Sequence, residues 1–191
     1  MLFSGLDVTL PPGHLLRVQG ANGAGKTSLL RMICGLLAPA RGALLWRGQP
    51  LAGLREEFGR QLTYVGHAAA LKDDLSAREN LLAASALAGH VPSVAEAGAA
   101  LAAAGLAGRA DVPARLLSQG QRRRVALARL ALAGPASLWI LDEPVNALDS
   151  AATQWLLGLV GGQLARGGMV VLTSHQSVAL DAAWPTVDVA L

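Results

Sequence analysis

The chain has 191 residues, enough for one well-buried core with a small subdomain attached. Its 16 Lys and Arg against 13 Asp and Glu leave a formal charge of only +3, too weak an excess to mark a nucleic-acid binder. Charged residues make up 15%, against about 25% in an average soluble domain; alanine bias accounts for part of that deficit, and surface covered by a partner chain is the expectation for the rest.

No run reaches the roughly 18 uninterrupted apolar residues that span a bilayer, since VALARLALAGPASLWIL is broken by Arg129 and by Gly134-Pro135. The opening MLFSGLDVTLPPG lacks the basic lead and long apolar run of a secretory signal. A single cysteine, Cys34, excludes an internal disulfide and fits a reducing cytosol. The expectation is a cytosolic chain, free to dock on something that is not cytosolic.

In chain order, LDVTL (6–10) and HLLRVQG (14–20) read as strands around the Pro11-Pro12-Gly13 turn. Lys26 to Leu37 reads as a helix with Leu29, Leu30, Ile33 and Leu36 on one face. ALLWRGQPL (43–51) reads as a strand ending in a turn, and LTYVG (62–66) as another strand. From Ser76 to Arg109 the pattern turns to Ala-rich helix, broken at Gly89-His90-Val91-Pro92 and Gly105. LSQGQRRRVALARL (117–130) is a loop becoming a basic helix, whose three arginines read as a solvated, partly salt-bridged face. SLWILDE (137–143) and MVVLTSH (169–175) are short apolar runs of the kind buried on both faces of a parallel sheet. The alternation predicts an α/β fold with a mostly parallel core sheet. One domain spans 1–191, with its α/β core in 1–66 and about 135–191 and an inserted helical subdomain in about 67–134.

GANGAGKT (20–27) fits G-x-x-x-x-G-K-[ST] between a predicted strand and a predicted helix, the context that makes a P-loop. Gly20, Gly23 and Gly25 let backbone N–H groups converge on phosphate oxygens, with Ala21, Asn22, Ala24 and Ser28 completing the cradle. Lys26 brings a point charge to the β/γ-phosphates, and Thr27 offers a hydroxyl to Mg²⁺. At the end of the 137–141 run, Asp142 is placed to hold the Mg²⁺ shell. The adjacent Glu143 is placed to accept a proton from the attacking water. These motifs call for a nucleoside triphosphate and Mg²⁺, and do not distinguish a kinase, a GTPase or a transport ATPase.

With these residues in hand, LSQGQ resembles the signature sequence of the ATP-binding cassette family, with Gln119 where a Gly is usual. The order of P-loop, LSQGQ, LDEP, ALD and SH is similar to that family's over nearly the whole chain. The resemblance implies a P-loop NTPase of the ABC ATPase type with a small antiparallel β part. It implies a head-to-tail dimer in which Ser118, Gln119, Gly120 and Gln121 of a second copy close on ATP. It further implies that His175 is a catalytic switch at the γ-phosphate and that Asp149 signals across the dimer. LFSGL, YVGH, LKDDLSARENL and LWILDEP are similar to segments of the ATPase subunits of cytochrome c maturation haem exporters. Those subunits sit peripherally on the cytoplasmic side of the bacterial inner membrane and pair with integral membrane subunits. ATPase subunits of other small exporters, for lipid, drug or peptide, share most of these strings, and soluble cassette proteins share some.

Two departures stand out. Most cassettes place a Gln after the strand entering the helical subdomain; here the position is His67, expected to couple ATP binding to the membrane partner with a pH dependence that an amide lacks. The adenine-stacking aromatic is absent from the matched region or lies upstream of it, Phe3 being read as core, so base selectivity is expected to be loose. His14 and His90 show no ligand spacing, and Trp46 and Trp139 read as core. With no Cys-x-x-Cys-His, no direct haem binding is expected, and no nucleic-acid partner.

Overall fold

The computed structural model describes residues 2–134, 137–174 and 184–191. They divide into two compact units. The first holds the chain up to Tyr64, the segment ending at Glu143, and the chain from Gln163 onward. The second holds the chain from Val65 to the end of the basic helix, together with Pro144–Gly162. It therefore takes in a stretch that composition alone assigns to the α/β core.

The first unit is built on β1 (Leu15–Gln19), β4 (Leu62–Val65), β5 (Leu138–Leu141), β6 (Met169–Thr173) and β7 (Thr186–Ala190), which form a five-stranded sheet in the order β4-β5-β6-β1-β7. β1 runs parallel to both β6 and β7, and β5 runs parallel to β6. All four residues of β5 are buried, as expected of a strand covered on both faces. Arg17 lies opposite Asp188 in the β1/β7 register and grips it with two bonds of 2.6 and 3.0 Å, which fixes β7 against slippage. Helix α1 (Lys26–Ile33) buries Leu29 and Leu30 in a core with Leu16, Val18, Ile140 and Val171. Leu36 N–H and Gly35 N–H close its last turn on Arg31 O and Met32 O, each at 2.9 Å, which ends the helix before Leu37.

The 43–51 segment is a small antiparallel hairpin, β2 (Leu45–Trp46) against β3 (Gln49–Pro50), turning at Arg47-Gly48 where both residues have positive φ. A short helix α2 (Arg55–Arg60) follows and seats Phe58 edge-on against Trp46. Trp46 and Trp139 are both core residues, and partly buried Phe3 packs against the same cluster as Trp46. Residues 6–10 form no strand: residues 4–9 are all exposed, and no ladder partner accepts them among the described residues.

Among the described residues, four α-helices build the second unit: α3 (Ala77–Leu87), α4 (Val94–Ala103), α5 (Gln119–Leu132) and α6 (Ser150–Ala165), the last ending just beyond it. Ser76 with Glu79, Ser93 with Glu96 and Ser118 with Gln121 form reciprocal capping boxes at the starts of α3, α4 and α5. Leu81, Leu101, Leu106 and Val125 meet in their own apolar core. Among the described residues no helix is long and apolar enough to cross a membrane.

Candidate functional site

The P-loop follows β1 directly and ends at Gly25, which caps α1 with φ 108. A Cβ there would lie 3.0 Å from the Phe3 ring as well as straining the backbone, so the loop needs glycine at this position. Asn22 and Gly23 are exposed at its tip, Ala24 N–H bonds Ala21 O at 3.2 Å, and Ser28 lies inside the helix. Lys26 is buried and donates to Gly20 O at 2.7 Å and Ala21 O at 3.0 Å, carrying its ammonium across the loop. This concentrates a cation and the N-terminal end of α1 on one small loop, which suits a polyphosphate.

One carboxylate network stands beside it. Asp142, just past the end of β5 and buried, accepts from Thr27 Oγ1 at 3.0 Å on Oδ2 and from Thr173 Oγ1 at 2.8 Å on Oδ1. Glu143 has φ 49, a left-handed conformation that costs a non-glycine residue about 1–3 kcal/mol. Its N–H donates to Thr173 Oγ1 at 2.8 Å. Thr27 and Asp142 present hard oxygens of the kind Mg²⁺ takes together with phosphate and water. No sequence signal marks Thr173, because a single Thr closing an apolar strand carries no motif. Cys34 packs on the same core; burial first, and the Asp142 charge second, push its thiol from 9.0 up to about 12.

His67, Ser118, Gln119, Gly120, Gln121 and Asp149 belong to the second unit. Ser118 and Gln119 are exposed at the start of α5, where helix N–H groups lack intrahelical acceptors. Ser118 Oγ accepts from Gln121 N–H at 3.3 Å, while Gln121 Oε1 accepts from Ser118 N–H at 2.9 Å. A Cβ on Gly120 would lie 2.6 Å from the Ala147 carbonyl oxygen, so backbone contact with the ALD loop demands glycine. Asp149 caps α6 through Ala152 N–H at 2.8 Å and pairs with Arg124 at 2.6 Å. His67 is exposed two residues beyond β4.

The three arginines do not share one solvated face. Arg122 pairs with Asp73 at 2.7 Å and Arg124 with Asp149, but Arg123 is buried and donates to Gly66 O at 2.6 Å, His67 O at 3.2 Å and Pro144 O at 3.4 Å. Successive helical residues point about 100° apart, so three in a row span about 200°, and on a helix packed by both α3 and α4 the middle one turns inward. His175 lies outside the described residues.

A model of the ABC transporter family matches residues 3–146. The chain belongs to that family. This ABC cassette is 52% identical over 181 residues, 95% of the chain and 88% of the relative, to the cytochrome c biogenesis ATP-binding export protein CcmA of Dechloromonas aromatica. It is 50% identical to the CcmA protein of Pseudomonas aeruginosa over 94% of the chain and 88% of that protein. A solved putative ABC transporter ATP-binding protein from Pyrococcus furiosus superposes with a TM-score of 0.80 at 25% identity, covering 95% of the cassette and 86% of that chain. A dimeric ATP-binding cassette bound to ADP and Pi in a post-hydrolysis state superposes with a TM-score of 0.78 at 25% identity, covering 92% and 80%. The mostly parallel sheet, small antiparallel hairpin and helical unit are the ABC ATPase fold.

Proposed function

We propose that the chain is the ATP-hydrolysing subunit of a membrane exporter serving cytochrome c biogenesis, with haem as the cargo its membrane partners handle. The observation that carries this reading is half-identity across nearly the full lengths of several cytochrome c biogenesis ATP-binding export proteins. The intact P-loop and Asp142–Glu143 pair support an active ATPase over a structural cassette. The site residues take the following roles. The loop from Gly20 to Ser28 cradles phosphates, with Lys26 at the terminal ones. Thr27 and Asp142 would hold Mg²⁺, which supplies neutralising charge on the phosphate oxygens when bound. The Glu143 carboxylate takes a proton from water as its oxygen attacks the γ-phosphorus, and ADP leaves. His175 is assigned to the same phosphate.

ATP sits at a seam with a second copy, whose Ser118, Gln119, Gly120 and Gln121 close on it and whose Asp149 reports on closure. The dimeric neighbour supports that arrangement. The cassette would lie peripherally on the cytoplasmic side of the inner membrane, coupled through His67 to integral membrane subunits. Burial of Arg123 and pairing of Arg122 and Arg124 support a reading without nucleic acid.

The test is genetic. In its own host with the gene deleted, the wild-type chain should restore covalently haem-stained c-type cytochromes, and Lys26→Met should restore less than about a tenth as much. Restoration by Lys26→Met would contradict the ATPase role; normal cytochromes in the deletion strain would contradict the export assignment.

A further inference from the structure

Thr173 ends β6 with no exposed surface at all, 0%. A hydroxyl buried so fully costs stability unless both its donor and its acceptor are used. Both are used, and on the two adjacent acidic residues. Its proton goes to Asp142 Oδ1 and its lone pair takes the Glu143 N–H, each at 2.8 Å. The β5/β6 register places Leu141 opposite Leu172, which brings the next residue of each strand together.

Both bonds bear on the chemistry. With Oδ1 engaged by Thr173, the Asp142 carboxylate cannot turn over freely, and Oδ2 is left toward Thr27 at 3.0 Å. Glu143 has left the β5 ladder in a left-handed conformation, and the Thr173 hydroxyl accepts the N–H that this turn frees. A valine of the same shape would keep the packing and lose both effects.

The geometry points to Thr173 as a positioning residue for ATP hydrolysis: one buried hydroxyl sets both the orientation of the Asp142 carboxylate toward Mg²⁺ and the backbone pose of Glu143. Its hydroxyl bonds run to Asp142 and Glu143, so it acts through them. The inference rests on the reading of Asp142 as a Mg²⁺ ligand.

Equilibrium binding of a fluorescent ATP analogue, with and without Mg²⁺, tests it on wild type, Thr173→Ser and Thr173→Val, beside kcat and KM. Wild type and Thr173→Ser should bind the analogue more tightly with Mg²⁺. Thr173→Val should lose at least tenfold of that gain while its Mg²⁺-free affinity stays unchanged, and its kcat should fall at least tenfold with a smaller change in KM. If Thr173→Val does not fold, Thr173→Ala, which only removes atoms, is held to the same criteria. A Mg²⁺-responsive wild type matched by the folded variant in gain and kcat would overturn the inference alone. A wild type indifferent to Mg²⁺ would overturn the metal reading of Asp142 and the inference with it.

Discussion

At Cys34 the surroundings decide reactivity. The thiol packs against the core of the sheet unit, and burial reinforced by the Asp142 charge lifts it from 9.0 to about 12. Because the folded form holds its proton more tightly than the unfolded one, the stability it contributes is complete below about pH 9 and fades as pH rises toward 12. At about pH 8 the native protein should resist iodoacetamide, and guanidinium-unfolded protein should label at the rate of a free thiol. Rapid native labelling, read by mass spectrometry, would contradict this placement. The acidic pair nearby is legible in the sequence because an apolar run ending in Asp142-Glu143 makes a poor solvated surface. Thr173 is not, because its partners depend on how β6 lies beside β5, and the register between strands distant in the chain is not written in either strand.

Among the elements, helix α5 draws its partners from several loops. Its Ser118 cap, Gly120 contact with Ala147 and three arginines tie the LSQGQ stretch to the loops after β4 and after Pro144. Removing the buried guanidinium by Arg123→Met leaves three carbonyls short of a charged donor. The expected cost is about 2 kcal/mol, or roughly 4–8 °C in Tm for a chain of this size. Arg122→Met breaks a partly exposed pair with Asp73 and should cost less than about 1 kcal/mol. Equal shifts for the two variants in calorimetry would contradict the inward placement of Arg123. Helices α3 and α4 are readable through their Ala-rich composition and the Gly89–Pro92 break between them. Helix α6 is not, because Trp155, Leu156, Leu157, Leu159 and Val160 crowd it with apolar residues and blur its periodicity. The alternation in LDVTL misleads for a different reason: a period-two pattern makes a strand only where a neighbour accepts its hydrogen bonds, and among the described residues none does at 6–10.

For the whole molecule, the α/β class and the parallel sheet follow from the alternation of short apolar runs with helices. The division into units does not, because Pro144–Gly162 joins the helical unit by packing, which composition does not record. Membership of the ABC transporter family brings the sheet unit's phosphate loop and the helical unit's LSQGQ stretch under one proposal, in which two copies share each ATP. The Glu143→Gln variant tests that proposal most directly, with phosphate release and nucleotide-dependent association measured on the same sample. The account predicts retained ATP binding, a stable dimer in the presence of ATP and Mg²⁺, and phosphate release reduced at least about 100-fold. Release near the wild-type rate from a chain that stays monomeric with ATP would contradict it.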